Sequence, residues 1–130
     1  MMKRLLTILC IPTLLLLGGA SEGYAFDETD LQQLRAMNQC EKCDLSGANL
    51  NRAYLRGADL SEADLSYANL SGADLRSADL RGANLRWADL WRADLTDVDL
   101  TTTVLGQTKL TSAILCRTKL PWGVENRDCK

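Results

Sequence analysis

The sequence predicts an all-β solenoid, a stack of short strands joined by corners, over residues 43–122. Leucine recurs at every fifth residue there, at sixteen successive positions from Leu45 to Leu120. Alanine stands two residues before most of these leucines, and aspartate or asparagine stands one residue before. Because each five-residue unit can bury its apolar side only against its neighbours, this period predicts a repeat architecture.

The spacing excludes both an α-helix and a flat strand. On a helix, five residues advance about 140° beyond a full turn, which would spread the leucines around the cylinder. In a flat strand, an odd period would place successive leucines on opposite faces. The apolar positions instead alternate gaps of two and three, as in Ala48, Leu50 and Ala53. A gap of two fits a short extended segment, and a gap of three requires a corner.

The predicted corners carry residues that favour turns. Glycine stands two residues after a leucine, where a turn can require a positive φ, at Gly47, Gly57, Gly72 and Gly82. Serine, a common turn residue, directly follows the leucine at Ser46, Ser61, Ser66 and Ser71. The number of units in one coil does not follow from the period alone.

The units CDLSG, ANLNR, ADLSE, ANLSG and ADLRS resemble the pentapeptide-repeat family, whose pattern is A-(D/N)-L-x-x. The resemblance covers about 80 of the 130 residues. It implies a right-handed quadrilateral β-helix with four units per coil, and hence about four coils: 43–62, 63–82, 83–102 and 103–122. The last coil replaces inward alanines with threonine or valine, so we expect it to continue with looser corners.

Residues 1–25 are predicted to be a signal peptide. Lys3 and Arg4 precede an apolar run over residues 5–17, which is shorter than the roughly 20 residues of a membrane-spanning helix. We expect cleavage after Ala25, with Ala20 as the alternative. The mature protein is therefore predicted to be exported and to lack a transmembrane span. The periplasm is the favoured compartment, with secretion and the thylakoid lumen as alternatives.

Each end of the solenoid is predicted to carry a cap. Residues 26–42 form an N-terminal helical cap, in which Thr29 and Gln32 fit a capping box. Three apolar residues recur on one side of this helix, Leu31, Leu34 and Met37. Residues 123–130 form a C-terminal cap, and Trp122 and Val124 are expected to help close that end. Such caps cover strand edges that would otherwise invite aggregation.

Four cysteines remain after the expected cleavage, and three pairings are formally possible. A disulfide requires Cα atoms within about 7 Å. Cys43 begins the first coil and Cys116 lies in the fourth, so the coil rise separates them. This geometry favours Cys40–Cys43 and Cys116–Cys129 as structural disulfides in an oxidising compartment. The alternatives are a redox-active dithiol in the Cys40–Cys43 motif and, less favoured, a zinc site.

The composition argues against catalysis. The chain has no histidine, which removes the usual general base and most nucleophile pairs and metal sites. The aspartates recur at one position of the repeat, which indicates either a solvated ladder or a turn-bonding ladder. We therefore expect neither enzymatic activity nor a cofactor or metal. Removal of residues 1–25 leaves 13 basic and 16 acidic residues, a balance that disfavours nucleic acid as a partner.

With four units per coil, residues twenty apart would stack in columns on the outer faces. One column is an acidic stripe that ends at Lys119 and comprises Asp59, Asp79 and Asp99. A second group combines aromatic and arginine side chains at Tyr67, Arg86, Trp87, Trp91 and Arg92. Exposed aromatics beside arginine are typical of binding hot spots, which makes this group the candidate binding surface. The alternative is that the tryptophans pack over neighbouring arginine stems.

The sequence thus predicts a non-catalytic exported protein that offers a rigid binding or scaffolding surface to an unknown protein or small ligand. A first alternative follows from the resemblance: some family members imitate B-DNA in shape and charge and bind a DNA topoisomerase. A second alternative is a thiol redox protein that uses the CxxC motif. The oligomeric state stays open.

Overall fold

The computed structural model describes residues 26–130. The predicted signal peptide, residues 1–25, and the alternative cleavage position after Ala20 lie outside the described residues. Helix α1 spans Glu28–Met37, strand β1 spans Thr118–Leu120 and strand β2 spans Gly123–Glu125. A ladder of isolated bridges occupies the chain between α1 and β1.

The ladder is that of a β-helix. Within residues 26–130, twelve isolated parallel bridges join residues twenty positions apart, from Gln39–Asp59 to Asp99–Lys119. Each bridge therefore connects a unit with the fourth unit after it. Between bridges, the N–H of the residue after each corner donates to the carbonyl of the preceding leucine, as from Ala48 to Leu45 at 3.0 Å. The predicted solenoid is confirmed by this pattern of strands and corners.

Leucine and alanine side chains fill the interior. Every leucine of the repeat from Leu45 to Leu100 is buried, as are most of the alanines that precede them. Leu105 and Leu110 are only half-buried. The corners of the last coil at Gln107, Ser112 and Arg117 keep a left-handed φ of 51–60°, so the looser corners expected from the sequence are not seen in the backbone conformation. Burial of apolar side chains, at about 1.5–3 kcal/mol each, is the main favourable contribution to this core.

Threonines in the last coil replace alanine without leaving a buried hydroxyl unpaired. The Oγ1 atoms of Thr103, Thr108 and Thr118 each donate to a leucine carbonyl one coil below, at 2.7–2.9 Å. An unpaired hydroxyl in this position would be costly, because an apolar core offers it no other partner. These bonds explain how the coil continues after the alanine pattern ends.

The corners have a left-handed backbone. The second residue after the leucine has a φ of 51–70° in every unit from Leu45 to Leu115 except the one at Leu100. Glycine, which adopts this conformation without strain, fills only four of these positions, including Gly57 and Gly72. Most corners therefore hold a side chain in a conformation that costs free energy, and other contacts must stabilise them.

The residue before each leucine supplies that contact. In every unit from Leu45 to Leu100 where this residue is aspartate or asparagine, its Oδ1 accepts the N–H two residues ahead, at 2.9–3.2 Å. Asp64, for example, accepts from the N–H of Ser66. These are Asx turns, in which the side chain takes the place of a backbone acceptor. They confirm the interpretation of the aspartates as a turn-bonding ladder.

Helix α1 covers part of the first coil. Its N-cap is Asp27, whose Oδ1 accepts from the N–H of Thr29 at 2.7 Å and from that of Asp30 at 3.4 Å. The predicted capping box that begins at Thr29 is therefore wrong, because Thr29 already lies inside the helix. Of the three apolar residues that recur on one side of this helix, Leu31 and Leu34 are buried in the core, whereas 58% of the Met37 surface is exposed.

Polar groups around α1 complete the edge of the first coil. The N–H of Asp27 donates to the Asp44 carbonyl at 3.0 Å, and the N–H of Asp44 donates to Asp30 Oδ2 at 2.7 Å. The N–H of Cys40 likewise donates to the Asp59 carbonyl at 2.7 Å. Two faces of the first coil thus gain backbone partners from the N-terminal segment.

The C-terminal end is closed by polar contacts. Strands β1 and β2 form an antiparallel hairpin in which Lys119 pairs with Val124. Beyond it, Asp128 Oδ2 accepts from the N–H of Leu115 at 3.0 Å, and Asn126 Oδ1 accepts from that of Arg117 at 3.1 Å. Trp122 and Val124 are exposed, so the expectation that they close this end is wrong. The last coil has no further coil above it, and these two N–H groups donate to carboxylate and amide oxygens instead.

Candidate binding surface

Two aromatic rings stack at one corner of the β-helix. Tyr67 and Trp87 both occupy the left-handed corner position, one coil apart, and the N–H of Tyr67 donates to the Arg86 carbonyl. Their ring centroids are 6.2 Å apart and their planes differ by 6°. Half of the Trp87 surface remains exposed. The corner geometry thus brings together the two rings that the twenty-residue column places in register.

A second aromatic contact lies at the next corner along the chain. The Cζ atom of Arg92 is 4.4 Å from the Trp91 ring centroid, which is a cation–π contact. The N–H of Trp91 donates to Asp89 Oδ1 at 2.9 Å, which holds the backbone of this corner. Trp91 keeps 46% of its surface exposed. The guanidinium therefore covers part of the ring and leaves the rest accessible.

The five residues of the candidate binding surface lie at two successive corners. One corner holds the Tyr67–Trp87 stack, and the next holds the Trp91–Arg92 pair. The Arg86 stem lies beside Gly106 in the coil above, with its Cγ 3.2 Å from the position of a Cβ built on that glycine. The Arg86 side chain thus packs against the backbone of the next coil.

Tyr54 is an exposed aromatic residue that the sequence analysis missed. It stands directly before Leu55, where every other unit from Leu45 to Leu100 has aspartate or asparagine. Its side chain is 90% exposed, so the core does not explain its presence. The departure from the repeat pattern is visible in the sequence and could have identified it.

Tyr54 and Trp91 face a common cleft of about 390 Å³, which we call the Tyr54–Trp91 cleft. Its floor is formed by small or short side chains of one coil, Ser71, Gly72 and Asp74. Its walls come from the coils on either side, with Arg52 and Tyr54 below and Trp91 and Arg92 above. The cleft arises because the small residues Ser71 and Gly72 of one coil lie between larger side chains of the coils below and above.

Asp74, the carboxylate at the floor of this cleft, is paired with an arginine. Asp74 Oδ1 accepts from Arg76 Nε at 2.7 Å, and this hydrogen bond is the main reason that the pKa of Asp74 is lowered. Arg52 and Arg92, by contrast, make no ion pair with any residue in the range 26–130. The cleft therefore contains two arginines that are not ion-paired with any described carboxylate.

The acidic stripe is mainly a structural element. Asp59, Asp79 and Asp99 each accept a backbone N–H within their own corner, at 3.0–3.1 Å. Asp79 also pairs with Arg81, whose hydrogen bond lowers the pKa of Asp79. The pKa of Asp99 is lowered mainly by the Thr101 hydroxyl, and Lys119 lies 3.7 Å from its carboxylate. Cations thus offset much of the charge along this column.

The cysteines lie at the two ends of the β-helix at disulfide distances. The sulfur atoms are 2.04 Å apart in Cys40–Cys43 and 2.01 Å apart in Cys116–Cys129. The first pair is buried, with 0% and 4% of the two residues exposed. Within residues 26–130, no group of three or more histidine, cysteine, aspartate or glutamate residues has the geometry of a metal site. The same range contains no helix with the length and apolar character needed to cross a bilayer.

Comparison with known proteins identifies relatives of the repeat. A family model described as pentapeptide repeats matches residues 43–82 and 78–120. A pentapeptide repeat protein from Nostoc PCC 7120 is 37% identical over 71% of this chain and 77% of its own, with a TM-score of 0.42. A pentapeptide repeat protein of the Arabidopsis thaliana thylakoid lumen is 26% identical over 78% of this chain and 72% of its own, with a TM-score of 0.35.

HetL, a pentapeptide repeat protein involved in heterocyst differentiation regulation in Nostoc sp. strain PCC 7120, is 34% identical over 60% of this chain, with a TM-score of 0.39. The present chain covers 38% of the length of HetL. The comparison with curated proteins returned no match.

Proposed function

This chain belongs to the pentapeptide-repeat family, and from that premise we propose that it is a non-catalytic protein whose rigid β-helix presents a binding or scaffolding surface. We further propose that residues 43–122 form a right-handed quadrilateral β-helix with about four coils. Proteins of this family are generally structural or binding proteins. The partner is a protein or a small ligand that contacts the outer corners, because the interior is filled by leucine and alanine.

The exposure of aromatic rings at the corners is the observation that carries this proposal. A corner in the left-handed conformation is equally well formed by Gly72 or Ser77, so the turn does not require a ring at Trp87. Large apolar side chains left half-exposed lose the hydrophobic free energy that burial would provide. Aromatic and arginine side chains are also the residues enriched in binding hot spots. Their presence here is better explained by a partner than by folding.

We propose an oxidising compartment outside the cytoplasm, with the periplasm favoured over secretion or the thylakoid lumen. The basic and apolar start of the sequence and the two cysteine pairs at disulfide distance both support it. Burial of Cys40 and Cys43 weighs against the redox alternative, since a reactive thiolate must be accessible. The cations paired with Asp79 and Asp99 weigh against the DNA-mimic alternative, which needs an uncompensated acidic face.

Affinity capture with the purified, oxidised protein tests the binding surface. We expect a partner that is retained by the native protein and lost when Trp87 and Trp91 are both replaced by serine. Trp122→Ser is the matched control, because Trp122 is also exposed, at 66%, but lies in the C-terminal hairpin. Equal retention by the native protein and the double variant would remove the proposed surface.

A further inference from the structure

We propose that the Tyr54–Trp91 cleft binds an acidic saccharide, with the carboxylate held by Arg52 and Arg92 and a sugar ring held against Tyr54 and Trp91. This inference rests on the proposed function, because Trp91 and Arg92 belong to the proposed surface. It adds a ligand class and two residues, Arg52 and Tyr54, that the surface did not include.

The two arginines provide the anion-binding groups. The stem of Arg52 lies over Gly72, with its Cγ 3.3 Å from the position of a Cβ on that glycine, so the side chain extends across the floor of the cleft. Arg92 stands one coil above Gly72 in the same column, and its stacking on Trp91 restricts its orientation. Both arginines line the cleft, and neither is ion-paired with a carboxylate among residues 26–130. Guanidinium binds carboxylate through paired hydrogen bonds.

The two aromatic rings provide the surface for a sugar ring. Tyr54 replaces the aspartate or asparagine that would otherwise bond the corner, so the protein forgoes a turn contact to expose this ring. The negative face of an aromatic ring attracts the partly positive C–H groups on the face of a pyranose. Trp91 offers its remaining exposed surface at the opposite wall of the cleft. The volume of about 390 Å³ falls in the range of small-ligand sites.

Polar groups at the floor favour a saccharide over an acidic peptide. Asn51 Nδ2 donates to the Ser71 carbonyl at 3.0 Å and to Ser71 Oγ at 2.6 Å, which fixes the amide and leaves Asn51 Oδ1 as an acceptor. The Tyr54 phenol adds a group that both donates and accepts. A ligand with several hydroxyl groups uses such partners, whereas an acidic side chain uses only the arginines.

Isothermal titration with trigalacturonate is the primary test, with its fully methyl-esterified form as the neutral control and tetraglutamate as the peptide control. We expect trigalacturonate to bind, and the neutral ester to bind about tenfold or more weakly because charge-assisted hydrogen bonds are lost. Affinity for trigalacturonate should fall with added salt. The absence of trigalacturonate binding, equal binding of the ester, or tighter binding of tetraglutamate would each overturn the inference.

Variants locate the site. Arg52→Gln and Arg92→Gln should each weaken binding about tenfold, whereas Arg81→Gln, which removes an arginine that does not line the cleft, should not. Gly72→Asn should block the cleft, while Gly57→Asn is a matched control because both glycines have nearly the same φ, +67° and +66°. Only the side chain at position 72 would meet Arg52. Equal affinities for these two variants, or for the arginine variants and the control, would place any binding elsewhere.

The outcome also separates this inference from the proposed function. If partner capture depends on the tryptophans but trigalacturonate does not bind, the proposed surface stands and the saccharide inference is wrong. If trigalacturonate binds in the cleft but no captured partner depends on Trp87 and Trp91, the saccharide site stands without the wider surface. Thermal unfolding of every variant excludes loss of the fold as the cause of either result.

Discussion

At the scale of single residues, the position directly before the leucine distinguishes residues that stabilise the fold from a residue that is a candidate for function. Aspartate or asparagine before the leucine bonds the N–H two residues ahead and stabilises a left-handed corner, as Asp64 does for Ser66. Tyr54 cannot make this bond, and its ring is exposed. A residue that breaks the local rule without a structural gain is a candidate for function, and such residues are often destabilising.

Tyr54→Asn should therefore stabilise the protein. The new Oδ1 is expected to accept from the N–H of Arg56, which raises the free energy of unfolding by about 0.5–1.5 kcal/mol, the usual net value of one hydrogen bond. Tyr54→Ala is the control, since it removes the ring without adding an acceptor. Urea unfolding measures both variants. A Tyr54→Asn variant no more stable than Tyr54→Ala would show that the corner at Leu55 does not need this bond.

At the scale of elements, the sequence predicted the repeat more accurately than its ends. The period of five and the twenty-residue column follow from side chains that every unit shares, so each unit adds evidence for the same geometry. Each end of the solenoid occurs only once, so no repeated pattern in the sequence predicts its geometry. Both Asp27 and Thr29 are residue types that favour an N-cap. The choice between them depends on contacts with the first coil, such as the hydrogen bond from the Asp27 N–H to the Asp44 carbonyl.

The Tyr54–Trp91 cleft escaped prediction for a related reason. It depends on which small residue happens to lie between two large ones, Gly72 between Arg52 and Arg92, and on side-chain directions that the period does not specify. The Tyr67–Trp87 stack was predictable because it needs only two residues twenty apart.

The assignment of the helix cap can be tested directly. Asp27→Ala should lower the free energy of unfolding by about 0.5–2 kcal/mol, the usual cost of removing an N-cap side chain. Thr29→Ala should have a much smaller effect, because Thr29 contributes only its N–H to the cap. Denaturant unfolding of both variants provides the comparison. A larger loss for Thr29→Ala would restore the capping box predicted from the sequence.

At the scale of the whole molecule, ion pairs connect neighbouring coils and join the last coil to the rest. Arg117 donates from Nε and Nη2 to the two carboxylate oxygens of Asp97, one coil below, at 2.6 and 2.7 Å. Lys109 and Lys119 stand above Asp89 and Asp99 in the same way, at 4.0 and 3.7 Å. The columns that contain Asp89 and Asp99 therefore end against opposite charge, whereas the other two columns end at Val104 and Ile114. These contacts are exposed, so salt weakens them.

The aspartates in these contacts make stability depend on pH. Hydrogen bonds from Arg76, Arg81 and Arg117 lower the pKa values of Asp74, Asp79 and Asp97 below the ordinary value of 3.8. A lowered pKa in the folded state means that the carboxylate stabilises the fold above pH 3.8, and that this contribution is lost as pH falls below it. We therefore expect the urea midpoint to stay level near neutral pH and to decline below about pH 4.

Arg117→Gln should lower the urea midpoint at neutral pH and reduce the decline in acid, because Asp97 then titrates at nearly the same pH in the folded and unfolded states. Arg86→Gln is the matched control, since Arg86 forms no ion pair with any residue from 26 to 130. Its profile should parallel that of the native protein. If the Arg117→Gln profile ran parallel to the native one throughout the acid range, the Asp97–Arg117 pair would not contribute to acid sensitivity. The joining of the last coil would then depend on the threonine hydroxyls and the C-terminal hairpin.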